Sequence, residues 1–406
     1  MSRKLVTTLL AASAMLGAYG RSFTLDLRGP RQSGTRLRLA AAAPTQSEDA
    51  LRSFDLDAGA ANVGEVAIGD ELTFTLFDDV TLKLTLKKKM HSPLCGDVFL
   101  AEVAGYEGFK TAVVLRTAEG LTVDVQDFRN KKYYKVLSTA AGVKVQETEA
   151  RGGGSGGCDT LRRQVSGNSQ SSAYEAADGS GSARNASPAA RLLAPASGRG
   201  GVYVDILVAY EKNAAAWAKS NGGLNNFAET AVQKMNTALA NTGLDSYFSF
   251  RLVGVVDVPM ASTSLDTVLY NATYGDNGWR TIKTKRDEVG ADIVTVLVDT
   301  GSAYGVTGLG WSLETTNFKS FAGSAYNACA IRSVAQSHTM THEVGHNMGC
   351  GHSTAQSSSP GPQLYDYSAG YYFSAGGSKY HTIMAYDGEG PGGTEVPYFS
   401  SPDYTY

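Results

Sequence analysis

Apolar and polar residues alternate through much of the N-terminal half of the chain. In residues 71–89 two alternating runs each place their apolar side chains on one face, and Asp78 and Asp79 lie between the runs. Alternation with period two predicts half-buried β-strands, and aspartate favours the turns that join them. Residues 21–149 are therefore predicted to form a small antiparallel β domain, and no catalytic cluster is visible in it.

The pattern changes after residue 201, where apolar runs typical of buried strands alternate with amphipathic helical stretches. Strands are predicted at 202–210, 247–258 and 291–299, and helices at 223–243 and from about 265 to 289. Strands separated by helices favour a mixed sheet with helices packed on it. The fold class predicted for residues 202–406 is α+β.

Two segments have the composition of neither domain. Residues 150–201 are rich in Gly, Ser and Ala with few large apolar residues, which predicts a flexible linker. Residues 1–20 combine Arg3 and Lys4 with a short apolar run and small residues at its end, the pattern of a secretory signal peptide. A frayed N-terminal helix of a cytosolic protein is the alternative for this segment.

The overall composition is that of an ordinary globular protein of 406 residues, with 42% hydrophobic and 18% charged residues. The formal net charge is −3, so the chain lacks the excess of positive charge that is typical of proteins that bind nucleic acid or a membrane surface. No apolar run reaches the length of a membrane span, so no transmembrane anchor is expected.

The sequence HEVGHNMGCGH, residues 342–352, contains three of the six histidines. On a helix, His342 and His346 lie one turn apart on the same face and can bind one ion. Gly349 can end the helix in a sharp turn that brings His352 back to the same ion. Three imidazoles leave a fourth position for water, and Glu343 can act on that water without being a ligand. The motif predicts a catalytic Zn²⁺ site with one ion.

Two other interpretations of the histidines remain open. The motif residues could be surface histidines beside a solvated glutamate. His338 lies one turn before His342, but its eight-residue distance from His346 corresponds to about 12 Å along a helix, too far for a shared ligand set. His338 is read as a residue at the helix start or as a neighbour of the ligands.

The motif resembles the zinc signature of the metzincin metalloendopeptidases. The likeness extends to TIMAY, residues 382–386, which looks like their Met-turn, and to the tail VPYFSSPDY, which is similar to that of secreted bacterial-type reprolysin-like members. It covers residues 202–406 and implies a metzincin zinc protease domain there. The β domain would then correspond to a propeptide that inhibits the enzyme.

The resemblance assigns roles by position. His342, His346 and His352 would be the zinc ligands, Glu343 the general base, and Met384 the hydrophobic floor beneath the ligands. Tyr386 matches a tyrosine that binds zinc or stabilises the oxyanion in some members, and a buried core tyrosine is the alternative. Substrate would pair with a strand near residues 320–331, and residues 396–399 would form the wall of the S1′ pocket.

The four cysteines suggest disulfides in an oxidising compartment, and their connectivity is open. A Cys329–Cys350 bond is predicted because both residues lie in the second half of the chain. Cys158 follows a glycine-rich stretch and could cap the zinc, as propeptide cysteines do in many metzincin zymogens. A Cys95–Cys158 disulfide is the conventional alternative.

The sequence thus predicts a secreted, zinc-dependent endopeptidase that is made as a zymogen and acts on proteins or peptides. One alternative is a non-catalytic secreted binding module or adhesin that retains structural zinc. Another is a zinc hydrolase with a different substrate. The intact Glu343 argues against a purely structural site, which has no need of a general base.

Overall fold

The protein is described by a computed structural model that covers residues 20–28, 50–150, 201–275, 278–301, 305–356 and 363–402, and the backbone of 158–161. The predicted signal peptide and most of the predicted linker lie outside the described residues.

The N-terminal half forms one sheet of nine strands, called here the N-terminal sheet. Its strand order is β1-β3-β4-β5-β6-β7-β8-β9-β2, and all neighbours are antiparallel except β1 and β3. The hairpin predicted around Asp78 and Asp79 is confirmed, because β3 ends at Phe77 and β4 begins at Val80. The strands are β1 Ser22–Asp26, β2 Ala50–Leu56, β3 Glu71–Phe77, β4 Val80–Ser92, β5 Gly96–Val103, β6 Lys110–Thr117, β7 Gly120–Asp127, β8 Lys132–Thr139 and β9 Gly142–Glu149.

The second half is built on a six-stranded mixed sheet in the order β10-β14-β15-β13-β11-β12. All pairs are parallel except β14 with β15. These strands are β10 Cys158–Leu161, β11 Val202–Tyr210, β12 Phe248–Asp257, β13 Ile293–Val298, β14 Gly308–Trp311 and β15 Tyr326–Ala330. A small third sheet consists of β16 Tyr372–Ala375, β17 Ser378–His381 and β18 Thr394–Glu395.

Helices pack on both faces of the six-stranded sheet, as two separate apolar clusters show. They are α1 Lys212–Ser220, α2 Leu224–Thr242, α3 Leu265–Tyr274, α4 Arg280–Val289, α5 Phe318–Phe321, α6 Ile331–Gln336 and α7 Thr339–Asn347, with a 3₁₀ turn at Ala322–Ser324. In the part of the chain that the structure describes, no helix combines the length and hydropathy needed to cross a bilayer. The α+β architecture expected for this half is confirmed.

The single helix predicted from about 265 to 289 is wrong, because the segment forms two helices, α3 and α4. Gly275 ends α3 with φ +71°, a left-handed conformation that glycine adopts without steric cost, and its N–H bonds to the Asn271 carbonyl. The apolar pattern runs through both helices and therefore did not reveal the break.

The N-terminal sheet is buried on both faces. Because side chains alternate along β5 and β6, Phe99 and Val114 enter the main core of the sheet, whereas Leu100 and Leu115 form a second cluster with Ala240 of α2. Helix α2 also packs on β12 and on the helix α7, so it lies between the two halves.

Polar side chains of α2 and the residues just after it complete this contact. The Ser92 hydroxyl donates to Glu229 Oε2 at 2.5 Å, and Lys88 Nζ lies 2.8 Å from Asp245 Oδ2. Asn241 accepts from the Lys110 N–H at 2.8 Å and donates to the Lys110 carbonyl at 3.0 Å. Every one of these contacts joins the N-terminal sheet to the second half.

Strand β10 is an unexpected element. Cys158–Leu161 fall in the segment predicted to be a flexible linker, yet they pair in parallel with β14, with Cys158 in register with Gly308. The prediction is wrong for these four residues, because a short strand can be held by the hydrogen-bonding edge of its neighbour despite an unfavourable flanking composition.

Glu229 gives a prediction about pH. Burial raises the pKa of its carboxyl above the ordinary 4.5, against the lowering effect of hydrogen bonds from Ser92 and Gln233. Its contribution to stability is therefore present below about pH 4.5 and is lost as pH rises through the higher folded pKa. Replacing Glu229 with Gln removes this loss, so the melting temperature of the variant relative to wild type should rise by a few degrees from pH 5 to pH 8.

Thermal melts at several pH values measure this difference, with Glu119→Gln on an exposed turn as the control. Parallel curves for wild type and the Glu229 variant would contradict the assignment.

Candidate metal centre and active site

Helix α7 and the turn after it bring three histidines to one point. His342 and His346 lie one turn apart, with ring centroids 4.8 Å apart. Gly349 has φ +91°, and the N–H of Cys350 bonds back to the Gly345 carbonyl, so the chain reverses directly after the helix. This reversal places the His352 ring 4.7 Å from that of His346.

The three Nε2 atoms form a nearly equilateral triangle. The His342–His346 and His342–His352 distances are 3.1 Å, and the His346–His352 distance is 3.0 Å. A tetrahedral ion with ligands at about 2.1 Å holds its ligand atoms about 3.4 Å apart. The triangle is therefore close to the size that one such ion requires, and these histidines are the group among the described residues that could hold a metal.

The outer nitrogens of two of these rings are fixed by backbone carbonyls. His342 Nδ1 donates to the Ile383 carbonyl at 2.7 Å, and His346 Nδ1 donates to the Cys350 carbonyl at 2.8 Å. These bonds select the tautomer whose Nε2 carries a lone pair for a metal. Burial, followed by the neighbouring imidazole of His352, lowers the pKa of His342 to about 3, and burial also lowers the pKa of His346 well below its ordinary value, so both rings are neutral.

The opposite side of α7 packs into the core, as the sequence predicts. Met340 and Val344 are 2% and 1% exposed and belong to the same apolar cluster as Met384 and Phe399. Packing on this side fixes the rotation of the helix and thus the direction of the histidines.

Glu343 is buried beside the triangle and lies against two glycines of β14. A Cβ atom on Gly308 would come within 2.1 Å of Glu343 Oε1, and one on Gly310 within 3.2 Å of Oε2. Any side chain at Gly308 would therefore displace the carboxylate. Sequence reasoning missed these glycines, although alternating glycines in the short run TGLGW are a signal of close approach in a strand.

Met384 and Tyr386 both lie at the site, as their sequence positions predict. Met384 is 1% exposed, and its Sδ is 2.6 Å from the position of a Cβ on Gly345, so this glycine leaves room for the thioether beneath the helix. The Tyr386 hydroxyl is 3.0 Å from His352 Nε2. Its ring stacks on that of His342 with centroids 5.7 Å apart. Tyr386 is thus a neighbour of the histidine triangle.

Residues 202–400 match the model of Reprolysin_5, described as metallo-peptidase family M12. This half of the chain is a reprolysin-type M12 metallopeptidase. The zinc metalloendopeptidase class predicted from the sequence is thereby confirmed.

Similarity to individual proteins is low. No curated protein matches the chain. The crystal structure of metalloproteinase-II from Bacteroides fragilis aligns with 11% identity and a TM-score of 0.46 over 86% of this chain and 93% of that one. A chaperone–substrate complex aligns with 14% identity and a TM-score of 0.36 over 84% of this chain, which spans 38% of the matched one.

The strand that the sequence predicts to bind substrate, near residues 320–331, does not lie at a sheet edge. Residues 326–330 form β15, which lies inside the sheet between β13 and β14. Strand β14 is the next strand outward and lies against Glu343. Its side away from β15 is therefore the edge on which an added strand can pair. In the structure β10 pairs with this edge.

The predicted Cys329–Cys350 disulfide of the metallopeptidase is wrong. Cys95, Cys329 and Cys350 are all free thiols, which also excludes a Cys95–Cys158 bond. The Cys329 Sγ contacts Asn327 Oδ1 at 3.6 Å, on the strand that passes beside Glu343. Cys350 lies after the helix end, where the turn at Gly349 directs its backbone to His346. Both thiols are packed as apolar groups of one cluster instead.

His338 occupies the N-cap position of α7, consistent with the reading as a helix-start residue. Its Nε2 pairs with Gln126 Oε1 of the N-terminal sheet at 2.9 Å, a contact that could not be predicted from local sequence. The pair of buried His381 and partly exposed Asp387, 2.5 Å apart, was likewise missed because its partners come from opposite ends of a turn.

Gly308 yields a test of the site geometry. Gly308→Ala should move the Glu343 carboxylate and reduce peptide hydrolysis by about 10²-fold, the effect of misplacing a reacting group by about 1 Å. Metal content and fold should be unchanged, because the atoms nearest to the added Cβ all belong to Glu343 and not to the three histidines.

The matched control is Gly323→Ala, where an added Cβ meets no atom within 4 Å. Full activity in the Gly308 variant would show that Glu343 has more room than these distances allow.

Proposed function

We propose that the protein is a secreted zinc-dependent endopeptidase made as a zymogen, with Glu343 as the general base. The observation that carries this proposal is that one helix holds two histidines of the triangle and also Glu343, whose carboxylate lies against Gly308 of β14. An extended peptide on that edge would have its backbone beside both groups. Secretion rests on the signal-peptide pattern of residues 1–20.

The three histidines suit Zn²⁺, because they offer three imidazole nitrogens in a buried set, the ligand type and number of catalytic zinc sites. When bound, the zinc ion supplies Lewis acidity that polarises the scissile carbonyl and increases the acidity of the attacking water. The carbonyls of Ile383 and Cys350 orient two of the ligand rings for it.

The reacting protons are handled by the chain itself. Glu343 takes a proton from the attacking water and passes it to the nitrogen of the leaving amine. Its burial keeps bulk water from competing for the carboxylate. The Tyr386 hydroxyl, 3.0 Å from His352 Nε2, would donate a hydrogen bond to the negative charge that develops on the carbonyl oxygen.

Substrate would bind as an added strand on the outer edge of β14. Backbone groups at a sheet edge can pair with any extended peptide. The affinity of this pairing would depend little on the side chains of the peptide. Residues 396–399 border the site through Phe399, which lies 3.5 Å from the Cβ position of Gly345 on α7. The side-chain preference of the enzyme would be set there.

The N-terminal sheet would serve as the prodomain and inhibitor. Its continuation, β10, takes up the same edge of β14 that substrate would use. Cys158 stands in register with Gly308, the glycine next to Glu343, whereas Asp159 stands in register with Leu309. This register favours Cys158 as the residue that caps the site, since a thiolate is a strong zinc ligand.

Glu343→Ala tests the catalytic role. The variant should retain stoichiometric zinc and the wild-type melting curve but lose casein hydrolysis by at least about 10²-fold, because only the proton acceptor is removed. Zinc analysis and casein assays with and without a chelator measure both properties. Activity close to wild type in the variant would rule out Glu343 as the base, and chelator-resistant activity would rule out a metal-dependent reaction.

Cys158→Ala tests latency. The uncleaved variant should hydrolyse casein, whereas Cys95→Ala should remain latent because Cys95 lies in the turn before β5. A second measurement needs no activity: a maleimide should label Cys158 faster after zinc is removed. Latency of both variants, with labelling independent of zinc, would show that the sheet blocks the site by other contacts.

A further inference from the structure

An aromatic turn of the N-terminal sheet contacts the segment 396–399 next to the active site. Phe109 meets Tyr398 edge to face, with ring centroids 5.6 Å apart. Val396 is 4% exposed and is part of the core cluster of the N-terminal sheet, although it belongs to the other half of the chain. This segment is therefore shared between the two halves.

The turn that carries Phe109 is held by several contacts of its own. Gly105 and Gly108 have φ +89° and +87°, which fixes a tight double turn, and the Phe109 N–H bonds to the Tyr106 carbonyl. Arg129 donates to the Gly105 carbonyl at 2.7 Å and covers the Tyr106 ring. A preformed turn presents Phe109 without a large entropic cost on contact.

Asn241 of α2 joins the two partners of this contact. Its side-chain amide accepts from the Lys110 N–H at 2.8 Å and donates to the Lys110 carbonyl at 3.0 Å and to the Pro397 carbonyl at 3.2 Å. One side chain thus holds the residue after Phe109 and the residue before Tyr398. Moving the turn must disturb the segment 396–399.

Hydrogen bonds connect the segment 396–399 to His342, a histidine of the triangle. The Tyr398 carbonyl accepts from the Ile383 N–H at 3.0 Å, and the Ile383 carbonyl accepts from His342 Nδ1 at 2.7 Å. The Phe399 N–H bonds to Thr242 Oγ1 at 3.0 Å, one residue beyond Asn241. One backbone hydrogen bond and one bond from the His342 side chain to the backbone therefore connect Tyr398, the partner of Phe109, to His342.

We propose that the contact of Phe109 and Lys110 with Asn241 and residues 396–398 is a second control point, separate from the pairing of β10 with β14. Through it the N-terminal sheet holds residues 396–399 in one position, and release of the sheet gives this border of the site its freedom to adapt to substrate side chains. The importance of this control for catalysis rests on the proposed function. The mechanical coupling does not.

The coupling is tested by hydrogen exchange in the full-length chain carrying Glu343→Ala, so that no self-cleavage occurs during labelling. Phe109→Ala and Asn241→Ala should each speed exchange in peptides covering 381–399 by about tenfold or more, since the amides of Ile383 and Phe399 are bonded within this network. Exchange in β11 should not change.

Lys88→Ala is the matched control, because it removes another contact of the same interface, with Asp245, without touching residues 396–398. Phe109→Tyr retains the ring and should exchange as wild type. Unchanged exchange at 381–399 in both alanine variants, or the same increase in Lys88→Ala, would overturn the proposal. Because the measurement uses an inactive protein, it can fail or succeed independently of the protease assignment.

Discussion

The convergence of three imidazole nitrogens on one point is the constraint on which the rest of the site depends. A helix supplies two of them without difficulty, but the third requires the chain to reverse at once, which Gly349 permits with its positive φ. Burying three imidazoles also leaves their outer N–H groups in need of acceptors. The carbonyls of Ile383 and Cys350 meet this need for His342 and His346, and so the turn at 382–386 must lie beside the helix.

That packing explains several small residues around the helix. Gly345 of the helix leaves room for Met384, and Gly308 of β14 leaves room for the Glu343 side chain of the helix, so two missing side chains allow Met384 and β14 to approach the same helix. Dense packing means that neither group can be moved without moving the other elements. The site is therefore a property of the whole second half and not of the histidine motif alone.

Much of this could be predicted from the sequence, because local rules govern it. The 3.6-residue helical period places His342 and His346 together, and the alternation in residues 71–89 defines a hairpin. Contacts set by distant chain segments could not be predicted. Examples are the break at Gly275 inside a continuous apolar pattern, the pairing of Cys158–Leu161 with β14, and the separation of Cys329 from Cys350. Each depends on which strand lies at an edge or where a helix ends in space.

Helix α2 is buried from both sides. On the side of the N-terminal sheet, Ala240 packs on Leu100 and Leu115, whereas Glu229, Asn241 and the following Asp245 contribute polar groups. Such groups lose little when water replaces their protein partners, because hydrogen bonds to solvent are nearly equivalent. If the two halves separate, water can replace these polar partners at little cost in free energy, so this part of the interface does little to oppose the separation.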